Sequence, residues 1–213
     1  MSEQGNPLVE IDITEDMRNR MHKLRSTMPA SLSKSFSKGQ NTIYGCAGEI
    51  IVLDYIGGNF VGGYDYDIII ENPMQINDGI AEYYRQKFTP EEGKAVRIEV
   101  KSKRVKTAPQ LFYSNSILRF SSHQDCDCYI FVRILEDLSK AWLCGACTPQ
   151  WFFKGATFHA KGDFDINNGF TFPADMWNRN IGCFAEGEDK NGSSYQGGNE
   201  DQFGVQEVPN MRI

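Results

Sequence analysis

The chain predicts an α/β or α+β domain on three observations: an almost wholly apolar helical segment, four strand-like runs that follow it, and a length suited to one core. At 213 residues there is little room for two independent cores, so one catalytic or binding module is expected. The hydrophobic share of 40% and charged share of 23% are those of an ordinary folded domain. No apolar run reaches the ~18 residues a bilayer crossing needs, so no membrane partner is expected.

The elements follow in order. Residues 13–28 open on Thr14, Glu15 and Asp16, then place Met17, Met21, Leu24 and Met28 at three- and four-residue intervals. That pattern predicts an N-terminal amphipathic helix with a basic outer face, stopped by Pro29. Residues 30–41, rich in Ser, Lys and Gly, read as a loop or short irregular helix. Residues 43–56 are nearly all apolar and end at Gly57 and Gly58, which predicts a buried helix. Ile68, Ile69 and Ile70, bounded by Asn72 and Pro73, predict a short central strand. Residues 74–93 are polar and read as a hairpin or an excursion. Residues 96–105 alternate strictly, with Ile98, Val100 and Ser102 on one face and Arg97, Glu99, Lys101 and Lys103 on the other. Two further strands are expected at 128–135 and 140–147, joined by the turn of Glu136, Asp137, Leu138 and Ser139. Residues 151–156 read as a short helix closing the core. The stretch 185–213, acidic and rich in Gly, Asn and Ser, reads as a C-terminal tail, leaving residues 1–184 as one domain with its core at about 43–156.

The net charge of −6 excludes a general polyanion coat, yet the charge is unevenly placed. Arg18, Arg20, Lys23, Arg25, Lys34 and Lys38 lie in a stretch without an acid, and a second cluster runs from Arg85 to Lys106. Such asymmetry marks either a local phosphate-binding surface or the solvated faces of ordinary elements. The first residues lack the basic start and apolar stretch of a secretory signal, so a reducing, cytoplasmic location is expected and the six cysteines are expected as thiols.

Three places can carry chemistry. Glu49 is the single acidic or basic (Asp, Glu, Lys or Arg) residue between Lys38 and Asp54, inside the apolar helix. A buried carboxylate needs a cation, a hydrogen-bond donor or a metal, although a neighbouring lysine or an escape to solvent would also satisfy it. Asp67 stands at the mouth of the isoleucine strand, with Asp65 two residues earlier; either could line a cleft or merely cap a bend after Gly62 and Gly63. In Ile98-Glu99-Val100-Lys101 the strand period sends Glu99 and Lys101 the same way, which makes either a catalytic pair or a plain ion pair. The conjunction of all three, in this order, is the informative feature.

Glu49, Tyr66-Asp67-Ile68-Ile69-Ile70 and Ile98-Glu99-Val100-Lys101 resemble the PD-(D/E)xK nuclease superfamily over roughly residues 44–134. The resemblance continues into a strand entered by Asp127 and is similar to phage and resolvase-like members. Tyr66 stands where the name-giving proline would be, and the interval from Asp67 to Glu99 is longer than in compact members.

The resemblance implies a restriction-endonuclease-like fold, a mixed central sheet flanked by helices, and a metal-dependent DNA endonuclease of the restriction, resolvase-like or phage kind, acting in a cytoplasm. It implies Mg2+, with Mn2+ as a substitute, held by Asp67 and Glu99 with Glu49 and the Val100 carbonyl; hard oxygen ligands suit such an ion. Glu49, Asp67, Glu99 and Lys101 would form the catalytic set, Lys101 holding water or stabilising the anionic transition state. Lys103, Arg104 and Lys106, leaving the catalytic strand, and Lys34 and Lys38 would contact DNA phosphates. Cutting a duplex commonly takes two sites, so a homodimer is compatible.

The alternative is a catalytically silent nucleic-acid-binding or assembly module on the same fold. Cys126, Cys128, Cys144 and Cys147 have spacings that could bind zinc, making a zinc-stabilised interaction protein a third reading, but core thiols are the favoured one. His22, His123 and His159 lie in unrelated segments without a serine motif, and no Walker-type phosphate loop is present.

Overall fold

A computed structural model describes residues 7–27, 42–165 and 170–185. β1 (Leu8–Asp12) leads into α1 (Glu15–Thr27), and α2 (Thr42–Ile56) precedes β2 (Asn59–Phe60) and β3 (Ile68–Ile70). Next come α3 (Glu82–Phe88), β4 (Val96–Val105), β5 (Ser114–Leu118), β6 (Cys128–Leu135), β7 (Lys140–Cys147) and α4 (Pro149–Gly155). The last elements are β8 (Thr157–His159), β9 (Phe164–Asp165), β10 (Phe170–Thr171), β11 (Met176–Asn180) and α5 (Gly182–Ala185).

The architecture is mixed α/β. Six strands form one sheet in the order β1-β7-β6-β4-β3-β2. β4 and β6 run parallel, with Lys101 opposite Phe131 and Lys103 opposite Arg133, and the other neighbouring pairs run antiparallel. A parallel pair needs a long crossover, and here it spans β5 and a 3₁₀ turn at Arg119–Ser121.

Both faces of the sheet are covered, which explains why β6 reads Cys-Tyr-Ile-Phe-Val-Arg-Ile-Leu with hardly a polar residue. Its Cys128, Ile130, Val132 and Ile134 enter one core with Met17 and Met21 of α1, Ile50 and Ile51 of α2, and Tyr84 and Phe88 of α3. Its Tyr129 and Phe131 enter a second core with Phe152 of α4, Phe184 of α5 and Ile117 of β5. A three-stranded sheet, β5-β11-β8, stands on that second side. No helix among the described residues is long and apolar enough to cross a membrane.

Local chemistry sets several ends. Thr14 Oγ1 accepts from the Met17 amide at 3.2 Å, capping α1, and Thr148 Oγ1 accepts from Trp151 at the start of α4, where Pro149 takes the first-turn place it tolerates. Gly145 has φ +108, and the Phe184 ring lies where a Cβ would be, 2.6 Å away, so no larger residue fits there.

Several expectations need correction. Residues 74–93 hold no hairpin: they make an excursion between the paired strands β3 and β4, built of a 3₁₀ turn at Pro73–Gln75 and of α3, whose Tyr84 and Phe88 are fully buried. Tyr84 Oη donates to the Pro7 carbonyl at 2.5 Å and accepts from the Gly145 amide at 3.0 Å, so one phenol ties α3 to β7. β3 is not central; it lies between β4 and the two-residue β2, next to the sheet edge. The outer face of α1 is less available than its charge suggests, since Arg18 pairs with Glu15 and Arg20 with Asp16 and Asp54. β1, β5 and β8–β11 were not expected at all. Met28, the loop at 30–41 and residues 186–213 of the acidic tail lie outside the described residues.

Candidate active site

The site is built where α2, β3 and β4 meet. Gly48 is the point of closest approach between α2 and β4: a Cβ there would lie 1.8 Å from Ser102 Oγ and 3.2 Å from Val100 Cγ1. A bare backbone at this position lets the helix settle on the strand, and the next residue, Glu49, is thereby carried within electrostatic reach of Glu99 and Asp67.

Asp67 ends the turn before β3 and is fastened at both its backbone and its side chain. Its amide donates to the Ile98 carbonyl at 2.9 Å, and its Oδ2 accepts from the Val100 amide at 2.9 Å. Val100, expected to offer its carbonyl, thus meets Asp67 through its N–H. Asp65 is not part of this arrangement; its Oδ1 accepts from the Asp125 amide at 3.3 Å in the neighbouring loop.

On β4, Glu99 and Lys101 do point the same way: Lys101 Nζ donates to Glu99 Oε1 at 2.8 Å, and both side chains are largely buried. Gln124, which sequence reasoning missed, completes this pair. Its Oε1 accepts from Lys101 Nζ, while its Nε2 donates to Glu99 Oε1 at 2.9 Å and to the Tyr64 carbonyl at 2.6 Å. Lys101 Nζ also stands 5.5 Å above the centre of the Tyr129 ring, where the aromatic face favours a cation.

The electrostatics of the three acids are unbalanced. Burial first and the charge of Glu99 second push the Glu49 carboxyl up to about 7. Asp67 is also held well above the usual carboxylate range, by burial and then by Glu99 and Glu49, against which the Val100 amide and Lys101 act in the opposite direction. Glu49 Oε2 and Glu99 Oε2 are buried without a hydrogen-bond partner. Such orphaned oxygens are costly in a low-dielectric interior unless they are protonated or meet a cation.

Among the described residues no three His, Cys, Asp or Glu side chains converge closely enough to form a metal-binding group as they stand. The acids nevertheless feel one another's charge. Asp67 turns to the Val100 amide, and Glu99 to Lys101 and Gln124. Two unsatisfied hard oxygens beside a third carboxylate are the donor set that a divalent cation such as Mg2+ or Mn2+ accepts. The residues therefore fit such an ion.

The remaining predicted residues divide. Lys103 is exposed by area but its amine is recessed in a cleft beside Lys101; loss of surrounding water, then the charge of Arg133, pushes its pKa down to about 8. The lysine stands in a concave mouth where solvent reaches it from one side. Arg104 lies 3.7 Å from Glu136 and over the Tyr44 ring, while Lys106 is exposed just beyond β4. Lys34 and Lys38 are outside the described residues. Asp127, at the entry to β6, does not join the acids; with Asp125 it grips the Arg97 guanidinium, at 2.9 and 2.7 Å.

None of the cysteines is joined in a disulfide. Cys128 packs in the α1–α2 core, whereas Cys126, Cys144 and Cys147 pack in the other, so the sheet separates Cys128 from the rest. Burial pushes the Cys126 and Cys144 thiols up to about 12, which opposes thiolate ligation.

No protein-family model matches the chain, and no curated protein does either.

Proposed function

We propose that this protein is a divalent-metal-dependent nuclease of PD-(D/E)xK type, with a restriction-endonuclease-like fold, that hydrolyses phosphodiester bonds in DNA. The observation that carries the reading is that three acids distant in sequence, Glu49, Asp67 and Glu99, lie within electrostatic reach of one another beside Lys101, though not at ligand distance from one another as they stand. The mixed sheet with helices on one face and helices plus a small sheet on the other is compatible with that fold.

Hydrolysing a phosphodiester requires charge on the phosphate to be neutralised and a water to be activated near neutral pH, and a divalent ion supplies both when bound. Glu49, Asp67 and Glu99 are the residues that would hold it. Lys101 contributes a positive charge at the same place, fixed by Glu99 and Gln124, where it can orient the attacking water or stabilise the developing anion. Gln124 restrains both members of the Glu99–Lys101 pair and so limits how far either can swing. The Val100 amide fixes the Asp67 carboxylate and leaves its Oδ1 for a ligand.

The test is cleavage of supercoiled plasmid, branched and single-stranded DNA with Mg2+ or Mn2+. Wild-type protein should cut at least one of them, and Lys101→Ala should lose that activity by at least a hundredfold. Intact DNA in every case, or a Lys101→Ala variant as active as wild type, would remove the enzymatic reading.

One observation favours a second reading, a silent nucleic-acid-binding module: the Lys101 amine is already engaged by Glu99 Oε1 and Gln124. Calorimetry separates the two. Mn2+ binding that is lost on Asp67→Asn belongs to the nuclease, and DNA binding without any Mn2+ uptake belongs to the module.

A further inference from the structure

A cleft of about 580 Å3 opens beside the candidate active site, between β4 and β6 on one side and β5 and β11 on the other. Lys101, Lys103 and Arg133 line it, and Asp165 is the one carboxylate among its lining residues. Strand geometry explains the grouping. Lys101 and Lys103 alternate onto the same face of β4, and the parallel register sets Lys103 directly opposite Arg133 of β6.

Arg133 is an unusual residue for its position. It is 5% exposed, it lies in the middle of an otherwise apolar strand, and its Nε is buried without a partner. Its Nη2 donates to the Ser114 carbonyl at 2.7 Å, and its guanidinium lies 5.4 Å from the centre of the Tyr113 ring. Among the described residues no carboxylate comes within ion-pair distance of Arg133 or of Lys103. A buried guanidinium without an acid is costly to hold, and Lys103 adds a like charge beside it. The arrangement makes sense when an anion arrives from outside. The volume is that of a small-ligand pocket, large enough for one nucleotide and too small for a duplex.

We infer that Lys103 and Arg133 form an anion subsite for one phosphate group of a nucleic-acid strand, next to Lys101 and distinct from the Glu49, Asp67 and Glu99 site. A planar guanidinium and a flexible ammonium on facing strands are suited to the same phosphate, the arginine by a fork of donors and the lysine as a point charge. The chemistry is common to a terminal phosphate and an internal phosphodiester. The inference rests on the nuclease reading for its ligand class, but its test does not depend on catalysis.

The full chain, kept in EDTA, is titrated with inorganic phosphate by calorimetry and with short labelled oligonucleotides, with and without a 5′ phosphate, by anisotropy. One phosphate should bind per chain and compete with the oligonucleotides. Lys103→Gln and Arg133→Gln should each weaken both ligands at least tenfold, while Lys154→Gln, exposed on α4 and outside the cleft, should change phosphate binding less than twofold. Tighter binding of the 5′-phosphorylated strand assigns the subsite to a chain end, and equal binding of the two strands assigns it to an internal phosphodiester; either supports the subsite. Should Arg133→Gln fail to fold, the exposed Lys103→Gln decides alone. Absence of phosphate binding, wild-type affinity in Lys103→Gln, or equal losses in Lys103→Gln and Lys154→Gln would overturn the inference. Failure of the nuclease reading looks different: DNA left uncut by wild type while phosphate binding persists.

Discussion

Replacing Glu49 by glutamine keeps the shape of the side chain and removes a charge that the fold disfavours. Burial and the neighbouring Glu99 raise the Glu49 carboxyl from 4.5 to about 7. The folded chain therefore binds more protons than the unfolded chain between those two values, and stability at this site falls as pH rises through that window. At about 1.4 kcal/mol per pH unit, the loss complete at pH 8 is ~3 kcal/mol, and ~2 kcal/mol is a safer figure for a side chain that retains some contact with water. Glu49→Gln should accordingly match wild type near pH 4.5 and exceed it by about 2 kcal/mol at pH 8, both without metal. Urea unfolding in EDTA at the two pH values measures this difference directly. With Mg2+ at pH 8 the order should narrow or reverse, because an ion bound only by the folded wild type stabilises it in proportion to its occupancy. A pH-independent difference, or a variant less stable than wild type at pH 8 in EDTA, would refute the claim that this carboxylate is buried beside like charge.

Two further substitutions probe the positioning of the acids and the lysine. Gly48→Ala puts a methyl 1.8 Å from Ser102 Oγ, 3.1 Å from Ser102 Cβ and 3.2 Å from Val100 Cγ1, so the Ser102 hydroxyl must turn aside and the contact of α2 with β4 loosen; denaturant unfolding should show a loss of about 1–3 kcal/mol, and plasmid cleavage should fall with it as Glu49 is displaced. Gln124→Ala releases Lys101 and Glu99 from their shared amide; cleavage should drop about 10–100-fold, while unfolding in urea moves by less than about 1.5 kcal/mol.

The parts of the fold that were legible in sequence are those whose burial imposes a period. β4 shows its alternation because the two faces of that strand meet different surroundings, and β6 and β7 show continuous apolar runs because both their faces are covered. α2 was legible for the same reason, an apolar helix resting on a sheet. α3 was not: only Tyr84 and Phe88 of its seven residues are buried, and its polar remainder carries no stripe. β5 and β11 are short and their pairing joins partners far along the chain, as between Asn178 and Ser116, while β8, β9 and β10, at two or three residues each, are too short to show a period. β1 is held by β7 through register with residues more than a hundred positions away.

In the site, Glu49, Asp67, Glu99 and Lys101 were legible because each carries a charge where its neighbours are apolar. Gln124 had no such signal: a neutral amide in a polar loop gains its role only when the crossover brings it over β4. Arg133 was passed over in the sequence although it is a charge inside β6, because its meaning depends on the cleft. Charge counting alone misled at α1, where Arg18 and Arg20 are committed to Glu15, Asp16 and Asp54.

The central claim is that Glu49, Asp67 and Glu99 share a divalent cation beside Lys101. Anomalous diffraction from crystals of the full chain soaked in Mn2+ locates that ion directly. The account expects a peak within coordination distance of oxygens from at least two of these acids, absent in Asp67→Asn; a peak bound elsewhere, or none at saturating Mn2+, would contradict it.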